Sequence, residues 1–174
     1  MQKVSMARYT SIYGTVSSVT PLRTSHDMAR CSLMLSMMSQ SLGQVNLIVT
    51  SQTYVLEQHT FKSGDSIIAV YDTMAPVPLI YPPQFTAIAL IRDTDGRQAM
   101  FDYFDENLVN SDNTLKLNLT NNYDTQILLS NGQIFFYPPG KHYLLVVYMF
   151  TTRSIPAITT PSKVIVFCSP EQTP

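Results

Sequence analysis

The sequence is poor in charge, in glycine and in catalytic motifs. Charged residues make up only 13% of its 174 residues, and the net charge is −1. Because that balance creates no global field to attract phosphate backbones, a general nucleic-acid binder is disfavoured. Only six glycines are present, and no GxGxxG, GxxxxGK or GxSxG pattern occurs. Loops that cradle phosphates or present a nucleophile are therefore missing, and no cofactor is predicted.

Metal-binding and disulfide frameworks are equally sparse. The three histidines, His26, His59 and His142, are far apart, and none belongs to an HxH, HExxH or Cys-His spacing. A zinc site is therefore not predicted, and we expect surface or turn histidines. Cys31 and Cys168 lie in opposite halves of the chain. Free thiols are the favoured interpretation, with a disulfide joining the two halves as the alternative.

Long apolar runs are absent as well. The longest stretches, such as Tyr143 to Phe150, are far shorter than the roughly 20 residues of a membrane-spanning helix. The first residues, MQKVSMARYTSIYG, contain no apolar run of about 7 to 15 residues before a cleavage site, so no signal peptide is predicted. We therefore expect a cytoplasmic protein without membrane contact.

The sequence does contain 45% hydrophobic residues, which is enough for a compact core. β-branched and aromatic runs of about five to eight residues alternate with Gly, Pro, Asn and Asp clusters, as is typical of a small barrel or sandwich. The strands predicted in the first half are Tyr9–Val19, Arg30–Met38, Gln44–Thr50, Asp65–Asp72 and Phe85–Arg92. A short helix over Gln52–Gln58, capped by Ser51, is expected between the third and fourth strands.

Three strands, a short helix and two more strands is the order of the oligonucleotide- and oligosaccharide-binding (OB) barrel, although other five-stranded antiparallel layouts share it. We therefore predict an all-β fold with an OB-like lobe over residues 1–95, which ends at the polar stretch IRDTDGRQ. A second, diverged OB-like lobe is expected over residues 96–174. Its predicted strands are Phe101–Val109, Leu115–Leu119, Thr125–Ser130, Gln133–Tyr137, Tyr143–Phe150 and Lys163–Cys168. Asn131-Gly132 predicts a type I′ hairpin turn there.

The two halves share one pattern, which indicates an internal duplication. Residues 64–90 and 140–167 both run from Gly through an apolar strand ending in Tyr, then through a Pro-containing loop into a second apolar strand. Tyr71 matches Tyr148 at an offset of 77 (148 − 71), and Pro78 matches Pro156 at an offset of 78 (156 − 78). The duplication predicts two similar lobes.

Apolar patterning predicts burial. Nearly every position of the runs IIAVY and KVIVF is apolar, so these strands are expected to be covered on both faces, where the lobes could pack together. The run LKLNL alternates, which predicts Leu115, Leu117 and Leu119 inward and Lys116 and Asn118 in solvent.

Three strings resemble an uncharacterised protein family of Gram-positive anaerobic bacteria. They are APVPLIYPPQ at Ala75 to Gln84, FDENLVNSDNTLKLN at Phe104 to Asn118, and TTRSIPAITTPSKVIV at Thr151 to Val166. The resemblance covers roughly residues 9–168. It implies a bacterial, non-secreted protein that has no assigned activity and no catalytic residues to carry over.

The Pro-rich loops are the candidate binding elements. In an OB-like lobe, DTMAPVPLIYPPQ joins strands four and five, a connection that such barrels use to grip ligands. Its prolines stiffen it and lower the entropy lost on binding. Tyr81 and Phe85 could offer stacking faces to a base or sugar, and Arg153 in the equivalent loop suits phosphate or carboxylate. Prolines that protect sheet edges and tyrosines that cap a barrel end are the simpler interpretation, which we favour.

Acidic residues concentrate near the predicted boundary between the lobes. Six of the 12 fall in one 20-residue window: Asp93, Asp95, Asp102, Asp105, Glu106 and Asp112. Asp93 and Asp95 in DTDG resemble the start of a calcium loop, but the later ligand positions of such a loop are missing. We favour a solvated junction over a metal site.

Three functions remain compatible with the sequence. The leading one is a non-enzymatic binding or assembly module that contacts a protein partner or itself. Single-stranded nucleic-acid binding through the barrel loops is the second. An enzyme acting on a small ligand is the third, and only the acidic cluster supports it.

Overall fold

A computed structural model describes residues 8–22, 30–120 and 124–168. The chain is all-β and divides into two compact units, Tyr9–Asp95 and the residues from Gly96 onward. We call these the first and second units. Among the described residues no helix has the length and apolar character needed to cross a membrane.

The first unit is a closed five-stranded barrel. The five barrel strands are β1 (Tyr9–Pro21), β2 (Leu33–Ser39), β3 (Gly43–Val49), β5 (Ser66–Asp72) and β6 (Gln84–Arg92), and a short additional strand is β4 (Tyr54–Val55). β1 pairs antiparallel with both β2 and β5, β2 with β3, and β5 with β6. A parallel pairing of β3 with β6 closes the ring, and the short β4 adds to β6.

Alternating side chains fill this barrel. Leu35 and Met37 of β2 and Val45 and Leu47 of β3 are buried, whereas the residues between them are at least partly exposed. This alternation, with a period of two residues, places one face of each strand toward the inside of the barrel. The buried residues join Ile12, Val16, Ile67, Ala69, Tyr71, Ala87 and Leu90 in one hydrophobic core.

The five strands predicted in the first half are confirmed to within a few residues, but the predicted helix over Gln52–Gln58 is reduced to its last three residues. The chain there forms β4 and a single 3-10 turn, Leu56–Gln58. Glu57 and Gln58 have φ values of 61° and 51°, which end any helix. Tyr54 and Val55 pair in parallel with β6 instead, so tertiary pairing overrides the local helix signal.

The described part of the second unit contains six short strands. They are β7 (Gln98–Phe104), β8 (Leu115–Leu117), β9 (Gln126–Leu129), β10 (His142–Tyr148), β11 (Ala157–Thr159) and β12 (Lys163–Phe167). β10 pairs antiparallel with β7 and β12, while β9 pairs in parallel with β12 and β8 in parallel with β11. Its core gathers Phe104, Leu115, Leu117, Leu144, Val146, Tyr148, Val164 and Val166.

These pairings correspond one by one to those of the first unit. β7, β8, β9 and β10 take the positions of β1, β3, β4 and β5, and β11 and β12 together take that of β6. A single offset in residue number aligns β6 with its two counterparts. When the pair Leu47–Phe85 is matched with Leu117–Thr159, Phe85 and Thr159 differ by 74 in residue number (159 − 85). When Tyr54–Ala89 is matched with Gln126–Lys163, Ala89 and Lys163 also differ by 74 (163 − 89).

These pairings agree with the expected match of Tyr71 to Tyr148, but they give Pro156 a different counterpart from Pro78. Val70 pairs with Ala89 and Val147 pairs with Lys163, so β5 and β10 are offset by 77 (147 − 70), as expected for Tyr71 and Tyr148. Beyond the loop the offset of 74 sets Pro156 opposite Pro82 (156 − 82). This offset therefore favours Pro82 over Pro78 as the counterpart of Pro156, which lies just outside the paired strands. Both Pro82 and Pro156 follow cis peptide bonds.

A threonine hydrogen bond recurs at matching positions of the two units. Thr53 Oγ1 donates to the carbonyl of Ala87 at 2.8 Å, and Thr125 Oγ1 donates to that of Pro161 at 2.6 Å. The two acceptors show the same offset of 74 (161 − 87). Each threonine precedes the short strand that joins the last barrel strand in parallel.

The second strand is where the two units differ most. In the first unit β2 spans seven residues, but its counterpart is reduced to isolated bridges of Asn110 with Phe104 and of Val109 with Lys116. The predicted strand Phe101–Val109 therefore ends at Phe104. Buried Asn110 holds the remaining turn, since its Oδ1 accepts hydrogen bonds from the backbone N–H groups of Thr114 and Leu115 at 2.8 and 2.9 Å.

The hairpin after β9 forms, but its turn differs from the predicted one. Leu128 bridges Ile134, and the backbones of Gln133 and Phe135 hydrogen-bond to Leu129 and Ile127, so only the first part of the predicted strand Gln133–Tyr137 pairs. Gly132 has a φ of 86°, whereas Asn131 has no positive φ, which a type I′ turn requires. The Gly132 N–H donates to the Leu129 carbonyl at 2.9 Å. This is the three-residue hairpin loop that ends in a left-handed glycine.

The expected burial of the apolar runs is confirmed. All five residues from Ile67 to Tyr71 are buried, as are Val164 to Val166, so these strands are covered on both faces. In β8, Leu115 and Leu117 are buried and Lys116 is exposed. Leu119 is partly buried beside the same core.

Candidate binding surfaces

The Pro-rich connection between β5 and β6 exposes an unusual amount of apolar surface. We call residues 73–83 the apolar loop. Leu79 is fully exposed, Tyr81 is 82% exposed and Met74 is 76% exposed, with Val77 and Ile80 about half exposed. Their combined exposed area is on the order of 600 Å², at the top of the range of about 300 to 600 Å² for the largest apolar patch of a typical monomer. The loop carries no charged residue.

Both ends of the apolar loop are held by hydrogen bonds. At its start, Asp72 Oδ1 accepts from the N–H of Met74 at 2.8 Å. At its end, the Pro83 carbonyl accepts from the N–H of Asn46 in β3 at 2.9 Å. Since the proline rings fix φ and lower the chain's freedom, the loop presents its apolar side chains from a fixed base.

The three residues predicted to bind a ligand occupy different environments. Tyr81 lies in the apolar loop with its ring in solvent. Phe85 lies in β6, packs against the first core and stacks on Tyr71, with ring centroids 4.1 Å apart and an interplanar angle of 14°. One face of the Phe85 ring is therefore already covered. Arg153 is exposed and belongs to the second unit.

The outer face of β2 and β3 carries no aromatic ring and no cation. The side chains between the buried positions are Met34, Ser36, Met38, Gln44, Asn46 and Ile48. Ser36 Oγ donates to Asn46 Oδ1 at 2.7 Å, so two of these polar groups already pair across the strands. Nucleic-acid-binding barrels use aromatic platforms and cations on this face.

The hairpin after β9 forms an apolar pocket that the sequence did not reveal. We call it the aromatic pocket. Its volume is about 530 Å³, and its lining residues are Leu108, Leu119, Thr125, Ile127, Ile134, Phe135, Phe136, Tyr137, Pro138 and Pro139. None of them is charged. The signal was present in the string IFFYPP, which we interpreted only as a strand.

The aromatic pocket has a fixed floor and an exposed rim. Leu108, Leu119, Ile127 and Phe135 are partly buried and pack against the second core. Phe135 also makes edge-to-face contacts with Tyr137 and His142, at centroid distances of 6.1 and 5.7 Å. Phe136 and Tyr137 are 85% and 75% exposed.

The first unit differs at the matching position. There Leu56 of the 3-10 turn is 2% exposed. Leu128, its counterpart at an offset of 72 (128 − 56), is only partly buried.

A second pocket lies beside the loop that contains Arg153. Its volume is about 490 Å³, and its lining residues are Asp124, Met149, Phe150, Thr151, Thr152, Ile158, Thr160 and Ser162. The loop folds tightly, because Thr152 Oγ1 accepts from the N–H of Ile158 at 2.9 Å and Thr159 Oγ1 donates to the Phe150 carbonyl at 2.6 Å. Phe150 and Ile155 are exposed.

The acidic cluster serves local turns. Asp105 Oδ1 accepts from the N–H groups of Asn107 and Val109, and Asp102 accepts from the Ser111 hydroxyl at 2.7 Å. The calcium candidates Asp93 and Asp95 flank a turn in which Asp95 has a φ of 61°. Within residues 8–22, 30–120 and 124–168, no three His, Cys, Asp or Glu side chains are grouped to hold a metal ion.

The remaining histidines and cysteines take structural or surface positions. His59 Nε2 lies 2.9 Å from Asp65 Oδ2, and this hydrogen bond lowers the pKa of the Asp65 carboxyl. His142 Nδ1 donates to the Gly140 carbonyl at 2.9 Å. Cys31 and Cys168 are both exposed thiols. His26 lies outside the described residues.

No protein-family description, curated protein or solved structure matches this chain.

Proposed function

We propose that this protein is a non-enzymatic binding or assembly module built from two OB-type barrels, which contacts a protein partner or another copy through the apolar loop. The strand order supports the barrel assignment. Going round the first unit, the order is β1, β2, β3, β6, β5 and back to β1, with the closing pair parallel. A five-stranded Greek-key barrel with one connection capped by a short helical turn is the OB arrangement.

The corresponding pairings of the second unit support a duplicated origin. With Thr53 matched to Thr125, the strands that pair with β6 and β12 set an offset of 74 between them. Through β5 and β10 this offset returns the match of Tyr71 with Tyr148. We propose that the two barrels descend from one unit whose second strand shortened in the second copy.

The exposed apolar loop carries the functional proposal. Its five large apolar side chains lie in solvent on a loop stiffened by proline, although folding normally removes such side chains from water. A patch at the upper end of the range for monomers is often a functional surface. The connection between the last two strands is also one of the loops that OB barrels use for binding.

The outer face of β2 and β3 favours protein over nucleic acid as the partner. Single-stranded nucleic acids bind through stacked aromatic rings and cations, and this face offers methionine, isoleucine and uncharged polar side chains. Of the residues proposed to stack on bases, Phe85 already stacks on Tyr71.

A loop variant with a matched control tests the proposal. We would compare the wild type with the double variant L79S/Y81S, and with M38S, which changes an exposed apolar residue outside the loop. Light scattering after size exclusion and pull-down from bacterial extract would measure self-association and partner retention. The loop variant should lose association that M38S keeps. If the wild type stays monomeric and retains no partner, the binding-module proposal fails.

Fluorescence anisotropy separates the nucleic-acid alternative. Labelled oligonucleotides of about 15 nucleotides should show no saturable binding at about 50 mM salt, where electrostatic contacts are strongest. Saturable binding that weakens steeply as salt is added would show that the partner is a single-stranded nucleic acid and not a protein.

A further inference from the structure

The aromatic pocket of the second unit and the apolar loop of the first unit have complementary chemistry. The loop, TMAPVPLIYPP, is rich in proline and carries no charge. The pocket is lined by aromatic, aliphatic and proline side chains, and it carries no charge either. Aromatic-lined grooves are a recurring way to bind proline-rich segments, and the prolines of this loop limit the freedom that it loses on binding.

Both surfaces are open in a single chain. Leu79 at the tip of the loop is fully exposed, and Phe136 at the rim of the pocket is 85% exposed. Each therefore keeps its apolar surface in water until another chain covers it.

We propose that the aromatic pocket binds the apolar loop of a second copy of this protein, so that the chains associate head to tail. This rests on the proposed function and names its partner. Leu79 and Ile80 enter the pocket over the floor made by Ile127 and Phe135. Phe136 and Tyr137 pack against the prolines of the loop. No charge is desolvated on either side, so burial meets no charge-desolvation penalty.

The pocket is suited to this occupant in size and rigidity. A volume of about 530 Å³ lies within the range of roughly 300 to 1,000 Å³ found for ligand sites, and it accepts several apolar side chains. The floor is fixed by the second core, and the backbone N–H of Phe135 donates to the Ile127 carbonyl at 3.0 Å. A preformed site lowers the ordering cost of binding.

The head-to-tail geometry determines the kind of assembly. The loop and the pocket are different surfaces, so a pair of copies joined through one loop leaves one free loop and one free pocket. Such a heterologous contact forms rings, of which a reciprocal dimer is the smallest, or open chains. The loop patch of order 600 Å² is smaller than the roughly 800 Å² per partner of a standard interface, so we expect weak association that depends on concentration.

Complementation between two variants tests the assembly. The loop variant is L79S/Y81S, and the pocket variant is F136S/Y137S; both change exposed side chains, so the units should still fold. The control is F150S/I155S, which removes comparable apolar surface from the exposed loop of the second unit. Sedimentation velocity from about 5 to 500 µM, a range suited to weak association, measures the mass of the assembly.

The wild type and the control variant should associate into dimers or larger species as the concentration rises. Each of the other two variants alone should stay monomeric, because its own copies lack either loops or pockets. An equimolar mixture of the two should form a 1:1 dimer and nothing larger, since only one intact loop meets one intact pocket. A wild type that stays monomeric over this range, or association that survives in the loop variant, overturns the proposal.

A peptide experiment locates the contact independently of assembly. A fluorescein-labelled peptide of residues 73–84 should bind the loop variant, whose pocket is intact and unoccupied, and should bind the pocket variant at least about tenfold more weakly. Equal binding to both variants overturns the assignment of the pocket. If the wild type stays monomeric yet its loop retains a different protein, the self-assembly inference fails and the proposed function stands. If the loop variant changes neither self-association nor the retention of a partner, both the self-assembly inference and the proposed function fail.

Discussion

Replacing Gly14 with alanine should disrupt the first barrel where β1 pairs with two neighbours at once. Gly14 pairs with Ser39 of β2 and with Ile67 of β5. A Cβ atom at this position would collide with the Met38 carbonyl oxygen and lie 2.8 Å from the Met38 carbonyl carbon. Because those atoms belong to the backbone, β2 would have to move away from β1.

The size of the effect follows from two opposing contributions. Overpacking in a closely packed region costs about 1 to 3 kcal/mol and sometimes more, and here the displaced atoms are backbone. The lower chain entropy of alanine in the unfolded state returns about 0.5 to 1 kcal/mol. We therefore expect G14A to lower the free energy of unfolding by about 2 kcal/mol, a substantial share of the roughly 5 to 15 kcal/mol of a typical domain.

Gly43→Ala provides the matched control in the same barrel. Gly43 has a φ of 70°, but an added Cβ would meet no atom within 4 Å. Only the strain of left-handed alanine remains, about 1 kcal/mol. Urea unfolding at room temperature followed by circular dichroism would measure both variants. If G14A is as stable as G43A or more stable, the close approach of β1 and β2 at Gly14 does not constrain the barrel as we argue.

Three further predictions concern single side chains. Thr125→Val should lower the free energy of unfolding by about 1 to 3 kcal/mol, because it leaves a buried carbonyl without its donor. Since the hydrogen bond to His59 holds the pKa of Asp65 below its unfolded value, the unfolded chain takes up this proton first as the pH falls. That stabilisation is complete above about pH 4 and is lost below it, and Asp65→Asn should remove this part of the acid sensitivity. Phe85→Ala should lower stability by about 2 to 4 kcal/mol, whereas Tyr81→Ala should leave it unchanged within about 0.5 kcal/mol.

Each of these three predictions has a control variant or a result that would contradict it. Thr125→Ser keeps the hydroxyl and should restore most of the stability, which urea titration would show. Acid titrations of the wild type and of Asp65→Asn that run parallel below about pH 4 would contradict the assigned hydrogen bond. A fully stable Phe85→Ala protein would mean that the Phe85 ring is available for a ligand after all.

The strands of the first unit could be predicted because each contains enough alternating or apolar residues to specify its own conformation. β1, β2, β3, β5 and β6 span at least seven residues each. The strands that escaped prediction, β4 and β11, have two and three residues. Both pair in parallel with distant segments, and such pairing leaves no local pattern.

The candidate sites could be predicted only in part. The prolines and apolar residues of the loop pointed to a rigid binding element, and Tyr81 is exposed there. Phe85 is also aromatic and lies a few positions later, yet it stacks on Tyr71. The aromatic pocket escaped notice because its lining comes from separate segments between Leu108 and Pro139, which only the folded second unit brings together.

Sequence alone determined that this protein is all-β, that it repeats one strand, loop and strand pattern, and that its apolar runs are buried on both faces. These properties depend on neighbouring residues, since a strand's period and a turn's glycine or proline act over a few positions. Tertiary structure alone decided that β3 and β6 close the barrel, that the predicted helix gives way to β4, and which aromatic rings are left for a partner. Those outcomes depend on which distant segments pair, and the burial that results from pairing cannot be read from local pattern.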